Sequence, residues 1–405
     1  MAEVSVVGGG VAGLVVARRL ALSGVSVAVH EATGRLGGTV ARHEVAGIAL
    51  DAGAESFAVR GGVVARLLAE LGLGDDVVEP RPGPAWLQPA SGDAVPLPAT
   101  ALLGIPSDPL ADDVVRVVGR EAAEAAVRLD ALPLAPGAAE MSLGALVRAR
   151  FGDTVLERLV APVVHGVHSQ HPDEVPLTRA HPSLPAELIA AGSLAGAVGA
   201  LRATAPPGSA VAGIRGGLHR IIPALAADLQ RHGGTIRLGS RVEDVSQLPG
   251  RVVVAAAGAA SASRPGRRID LVTLVVEQPE LDAAPRGSGL LVADGAEVSA
   301  RALTHATAKW DWLREAAGGR HVLRLSYDAT PADPAGTARA DAEALLGVEL
   351  PIVVGTAHVV WTRPAPAAPT KAASDPIVVG ETVAGSGLAG IVAHAERTAQ
   401  LLLAS

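Results

Sequence analysis

The chain has 405 residues, 49% of them apolar and 2% aromatic, with a formal net charge of −7 and no cysteine. That length fits two to three domains or one large α/β domain, and the missing cysteine excludes disulfides, thiolate metal sites and thiol nucleophiles. Lys309 and Lys371 are the only lysines; without a basic block, nucleic acid is not an expected partner.

Ala2-Glu3 leads straight into a strand, with no basic n-region, so the reading expects a chain that is not exported and a cytoplasmic location. Val4 to Val7 is a short β-branched run, followed by glycines and a helix over Val11 to Ser23. Val25 to His30 reads as a second strand, completing a βαβ opening. Glu79 to Pro109 is proline-rich and weakly periodic, an exit into another domain. Asp112 to Leu132 and Ser142 to Leu159 read as amphipathic helices. Leu188 to Leu201 is the longest uncharged apolar stretch in the middle. At 14 residues, against about 20 for a membrane span, it reads as a buried helix or two short ones. Arg215 to His232 is expected to be a helix, followed by strands over Thr235 to Leu238 and Val252 to Ala256. Ile269 to Tyr327 looks strand-rich, Thr337 to Leu346 helical, and Pro364 to Pro376 a loop. Ile377 to Val379 and Leu388 to Leu403 close the chain as strand and helix.

Gly8, Gly9, Gly10, Val11, Ala12 and Gly13 form G-x-G-x-x-G between the first strand and helix. The mechanism needs that context: Gly8 for the tight turn, Gly10 for backbone approach to a pyrophosphate, Gly13 for helix–strand packing. The helix N-terminus then meets the phosphates. Glu31, at the end of the second strand, stands where an acid accepts ribose hydroxyls.

From Glu31 the chain continues through Arg35, Gly37 and Gly38, and resembles the E-x-x-x-R-x-G-G extension of flavin amine oxidases. Asp51 to Phe57, which includes Gly53, Ala54, Glu55 and Ser56, resembles the D-x-G-P-E-S-F segment of protoporphyrinogen and coproporphyrinogen oxidases, with Ala54 in place of proline. Gly104-Ile105-Pro106, Phe151-Gly152, Gly192-Ser193-Leu194, Gly216-Gly217-Leu218 and Lys309-Trp310 resemble further motifs of that family, in order. Trp361 to Pro364 resembles its W-x-x-x-x-P loop, with the proline early. Gly380-Glu381 and Gly385-Ser386-Gly387-Leu388 resemble its second flavin-contact motif.

The resemblance implies an α/β fold with a discontinuous, Rossmann-like FAD-binding (two-nucleotide-fold) domain from 1–80, 208–265 and 370–405. It implies an α+β substrate domain with a helical part over 81–207 and a sheet part over 266–369. It implies FAD, held by the residues of the motifs above together with Val242, Trp361, Glu381, Ser386, Gly387 and Leu388. The implied reaction is oxidation of a porphyrinogen by molecular oxygen: six electrons in three two-electron steps, with peroxide formed and the porphyrin handed to the next haem-pathway enzyme. Coproporphyrinogen III is the expected substrate. Protoporphyrinogen IX, an amine, and a non-catalytic flavin or porphyrin carrier remain alternatives. No catalytic side chain is assigned; Lys309 is a candidate for a water-mediated contact to the flavin or a plain surface lysine, and Arg60 for flavin, substrate or solvent. His165, His168 and His171 lack a completing carboxylate, so no metal is expected.

Overall fold

The structure, a computed structural model, describes residues 4–168, 170–204, 210–256, 266–363, 376–385 and 387–404, without the side chains of residues 167 and 168. The chain forms two compact units, one from Met1–Pro80, Gly208–Leu271 and Ala357–Ser405, the other from Arg81–Pro207 and Val272–Thr356. The first unit opens with β1 (Val4–Val7), α1 (Val11–Leu22), β2 (Val27–His30), a hairpin of β3 (Arg42–Val45) and β4 (Ile48–Asp51), and α2 (Val63–Glu70). The second unit begins with β5 (Trp86–Gln88) and β6 (Val95–Pro96). Its helices α3 (Asp112–Val118), α4 (Arg120–Asp130), α5 (Leu143–Phe151), α6 (Ala161–His168), α7 (Leu184–Ala191) and α8 (Leu194–Ala203) follow. Back in the first unit come α9 (Ile221–Arg231), β7 (Thr235–Arg237) and β8 (Arg251–Val254). The long β9 (Arg267–Glu277) leads to β10 (Gly289–Val292), β11 (Ala302–His305), β12 (His321–Tyr327) and α10 (Pro334–Leu346). The chain ends with β13 (Ile352–Arg363), β14 (Ile377–Val378) and α11 (Leu388–Ala404).

In the first unit a parallel sheet runs in the order β7-β2-β1-β8-β14. Its inner strands are continuous apolar runs because both faces are covered. Val6, Val29 and Val253 are fully buried with Leu14, Val16, Leu225 and Val392, from α1, α9 and α11. The two chain ends thus share one core. The second unit carries a mostly antiparallel sheet, β13-β9-β12-β11-β10-β5-β6, and a helical core around Phe151, Leu146 and Leu159.

Several expectations change. Asp112 to Leu132 is two helices, broken at Gly119, whose φ of +89° ends the first. The expected helix Arg215 to His232 starts only at Ile221, after positive-φ turns at Gly216 and Gly217. Trp361 is not in a loop but near the end of β13. The sequence reading sets borders at 265/266 and 369/370; β9 and β13 run unbroken through the unit borders at 271/272 and 356/357. Leu188 to Leu201 spans α7 and α8, which bend by 119° at Gly192-Ser193; among the described residues no single helix is long and apolar enough to cross a membrane. The expected loop at Pro364 to Pro376 lies almost wholly outside the described residues.

Candidate flavin site

The first unit places two strand–glycine–helix connections side by side, at the C-terminal ends of parallel strands. One runs from β1 through Gly8–Gly10 into α1. The other runs from β14 through Gly380 to Gly387 and α11; a Cβ on Gly380 would lie 3.4 Å from Ala12 Cβ. Ligands of open parallel sheets bind at such strand ends.

The glycines of the first loop divide by cause. Gly8 needs a φ of +108°, and a Cβ there would come within 2.8 Å of the Ala256 backbone nitrogen. A Cβ on Gly13 would overlap the Gly8 carbonyl oxygen, and one on Gly9 would press 2.5 Å from Leu36. Gly8 and Gly13 are required by the protein's own backbone, whereas at Gly9 the Leu36 side chain would have to move. Gly10 is different. Its backbone is extended, φ −76° and ψ 176°, and a Cβ would meet nothing within 4 Å. Neither backbone nor neighbours call for glycine there, whereas a diphosphate seated on the N-terminus of α1 would. The residues therefore fit a dinucleotide.

Around that open space the other motif residues gather. Gly37 N–H donates to the Gly9 carbonyl at 2.9 Å, and a Cβ on Gly38 would lie 3.8 Å from Gly10 Cα. Glu31 is half-buried; one carboxylate oxygen accepts from Gly9 N–H and the other from Thr33 N–H and Oγ1, each at 2.8 Å. The carboxylate is thus pre-oriented over the loop. Beside it His30 stands 3.0 Å from Ser240 Oγ; burial first and Arg237 second hold its imidazole below the ordinary value. Arg35 is exposed, donates to Gly38 O at 3.2 Å, and lies 5.8 Å from the centre of the Trp361 ring. Trp361 Nε1 donates to Ala52 O at 2.9 Å. Gly53 follows, with no room for a Cβ against Thr39 O; Ala54 is exposed, Glu55 and Ser56 half-buried. Glu381, in the second glycine connection, receives Arg363 Nε at 2.8 Å. Gly387 has open space where a Cβ would stand, and Leu388 is buried in the core. Ser386 lies outside the described residues. Val242 is partly buried against the small cluster of Val7, Val252 and Val254.

Arg363 and Asp51 were missed by the sequence reading as site residues; Asp51 was missed because its partners are remote in sequence. Asp51 accepts from Leu218 and His219 across 167 and 168 positions. Arg60 is exposed. Lys309, in the second unit, lies with its Nζ 5.0 Å from the centre of its neighbour Trp310. His165 approaches Asp328 at 3.4 Å and His171 approaches Asp173 at 3.4 Å; among the described residues no group of three or more His or acidic residues could hold a metal.

Comparison with known proteins gives the same direction. The family model of flavin containing amine oxidoreductases matches residues 11–272, more than half of the chain. The chain belongs to that family. Within it the chain falls in the porphyrinogen oxidase group: a protein named coproporphyrinogen III oxidase from Mycobacterium leprae is 30% identical over 389 residues, 83% of this chain and 79% of that one. A Staphylococcus aureus protein of the same name is 28% identical over 258 residues, 60% of this chain and 54% of the relative, so this alignment spans about half of its length. A solved structure from Exiguobacterium sp. 255-15, provisionally named a protoporphyrinogen oxidase, shares the fold with a TM-score of 0.82, at 22% identity and 99% coverage of both chains. The protein is an FAD-dependent oxidoreductase.

Proposed function

We propose that the protein oxidises coproporphyrinogen III to coproporphyrin III, with oxygen as the final acceptor, and that the glycine cradle of the first unit holds the FAD. The carrying observation is the kinship, over 83% of this chain, with proteins named coproporphyrinogen III oxidase; the Gly10 space supports the cofactor half of the reading. A bound FAD would supply the two-electron oxidising chemistry, with oxygen as the final acceptor. The chain's own residues bind and orient. Gly10 to Gly13 present N–H groups and the α1 N-terminus to the diphosphate, Glu31, held by Gly9 N–H, receives ribose hydroxyls, and Arg35 offsets phosphate charge. The Gly53–Ser56 loop and the Glu381–Leu388 segment line the remainder of the cofactor. No proton-transfer residue is assigned, because pyrrole protons can leave to water. The reading carries with it a cytoplasmic location and handover of the porphyrin to the next enzyme.

A second reading, protoporphyrinogen IX, draws on one feature. Together the bent pair α7–α8 has the length and apolar composition of a broken membrane span, and Ile189 near its corner is 67% exposed. A less soluble, two-propionate substrate would suit such an apolar surface. Measuring kcat/KM for both porphyrinogens in air, at low and high salt, separates the two. Preference for the four-carboxylate substrate, weakened by salt, supports the first; a salt-insensitive preference for protoporphyrinogen IX reverses the choice.

A further inference from the structure

The three chain segments of the first unit meet at one dipeptide. Asp51 ends β4 and is 7% exposed. Its Oδ2 accepts from Leu218 N–H at 2.9 Å; its Oδ1 accepts from His219 N–H at 2.8 Å and stands 2.8 Å from His219 Nδ1. Those donors belong to the segment that enters α9. On the next residue, Ala52 N–H donates to Ala41 O at 2.8 Å, and Ala52 O accepts from Trp361 Nε1, which belongs to the last segment. A buried carboxylate is costly unless its lone pairs are met, and here three N–H groups meet them. The Asp51 side chain is thereby committed to protein partners.

Immediately beyond lies the Gly53–Ser56 loop. It has no slack: the Cβ position of Gly53 is filled by Thr39 O, with Trp361 Nε1 at 3.3 Å. Trp361 in turn underlies Arg35, and Arg35 binds Gly38 O beside Gly10. A contiguous path therefore runs from the start of the α9 segment, through Asp51–Ala52 and Trp361, to the glycines of the diphosphate cradle. Gly217, at a φ of +105°, keeps this node tight, since a Cβ there would come within 2.6 Å of the His219 ring.

We propose that Asp51, locked by His219, is a positioning residue for the flavin: it sets the Gly53–Ser56 loop and the Trp361–Arg35 contact without itself touching the cofactor. The inference rests on the FAD reading above. Replacing Asp51 by Asn turns an amide N–H toward backbone donors. His219→Phe removes the ring donor, and His219→Gln restores one. The test titrates FAD into flavin-free protein, follows flavin fluorescence quenching, and records the visible circular dichroism of the bound flavin beside the far-ultraviolet spectrum. D51N and H219F should weaken FAD binding at least tenfold and alter the visible dichroism, with the far-ultraviolet spectrum unchanged, and H219Q should recover most of both. D51N and H219F that bind FAD within twofold of wild type, with its dichroism, overturn the positioning role. If D51N does not fold, H219F set against H219Q decides alone by the same criteria. Wild-type protein that binds no FAD at all overturns the flavin reading instead, and this inference with it.

Discussion

Gly10→Val separates the needs of the chain from the needs of its ligand. The backbone at Gly10 is open to any residue, and the added side chain would point into space free of protein atoms within 4 Å of its Cβ. Its cost to the apoprotein is that of a poorer helix N-cap, roughly 0.5–1 kcal/mol. For FAD the same side chain stands where the diphosphate must approach the backbone. Losing two charge-assisted hydrogen bonds at about 1.5–3 kcal/mol each removes about 3–6 kcal/mol, which raises Kd on the order of 10²- to 10⁴-fold. Gly13→Val is the contrast, since its Cβ overlaps Gly8 O and it should fail in folding itself. The assay pairs the thermal midpoint of flavin-free protein with FAD titration. G10V that keeps its flavin with wild-type affinity, or that unfolds like G13V, refutes the assignment of Gly10 to the ligand.

Three predictions concern the scaffold. Arg18 is 4% exposed and bonds Asp228 and Glu70, so Asp228→Ala, which strips a buried cation, should cost about 3–5 kcal/mol in denaturant unfolding. Glu70→Gln should cost about 0.5–1 kcal/mol at neutral pH, because that carboxylate is 37% exposed and solvent-screened. Burial pushes the Glu70 carboxyl up, but Arg18 and Arg19 together bring it below its ordinary 4.5. Its contribution is thus present above pH 4.5 and fades as pH falls through the depressed value; a difference between wild type and E70Q that does not shrink as pH falls below 4.5 would contradict this. His305 is 1% exposed and lies 3.1 Å from His321 Nδ1; burial first and His321 second lower it to about 3. The unfolded chain takes up that proton below about pH 6.5 and the folded chain does not, so stability should fall by about 1.4 kcal/mol per pH unit on that limb. His305→Asn should flatten the limb between pH 6.5 and 4, and an unchanged slope in unfolding curves would argue against it.

What the sequence made legible was local. The G-x-G-x-x-G turn, Glu31 and the flanking strand and helix lie within one βαβ unit, where spacing alone sets geometry. The closing strand and helix were readable for the same reason. β13 was not anticipated, because its residues alternate between exposed and half-exposed and its run includes Gly355, Thr356 and His358, which blur the apolar period. The late start of α9 reflects positive φ at Gly216 and Gly217, a cost that composition alone does not display. Asp51–His219 and Trp361–Ala52, 168 and 309 positions apart, depend on how the discontinuous unit closes. In the Gly8–Gly10 loop the glycine spacing already assigned Gly8 to the turn and Gly10 to the pyrophosphate; the structure adds that a Cβ on Gly8 would meet the Ala256 backbone, whereas one on Gly10 would meet nothing within 4 Å.

The central claim is tested most directly by purifying the protein, releasing its cofactor by heat, and assaying the holoprotein with coproporphyrinogen III in air. The account predicts one FAD per chain, coproporphyrin fluorescence that grows with enzyme concentration, and oxygen consumed at three molecules per porphyrin formed. Flavin-free protein that takes up no added FAD, or flavin-loaded protein that leaves both coproporphyrinogen III and protoporphyrinogen IX unoxidised, would contradict it.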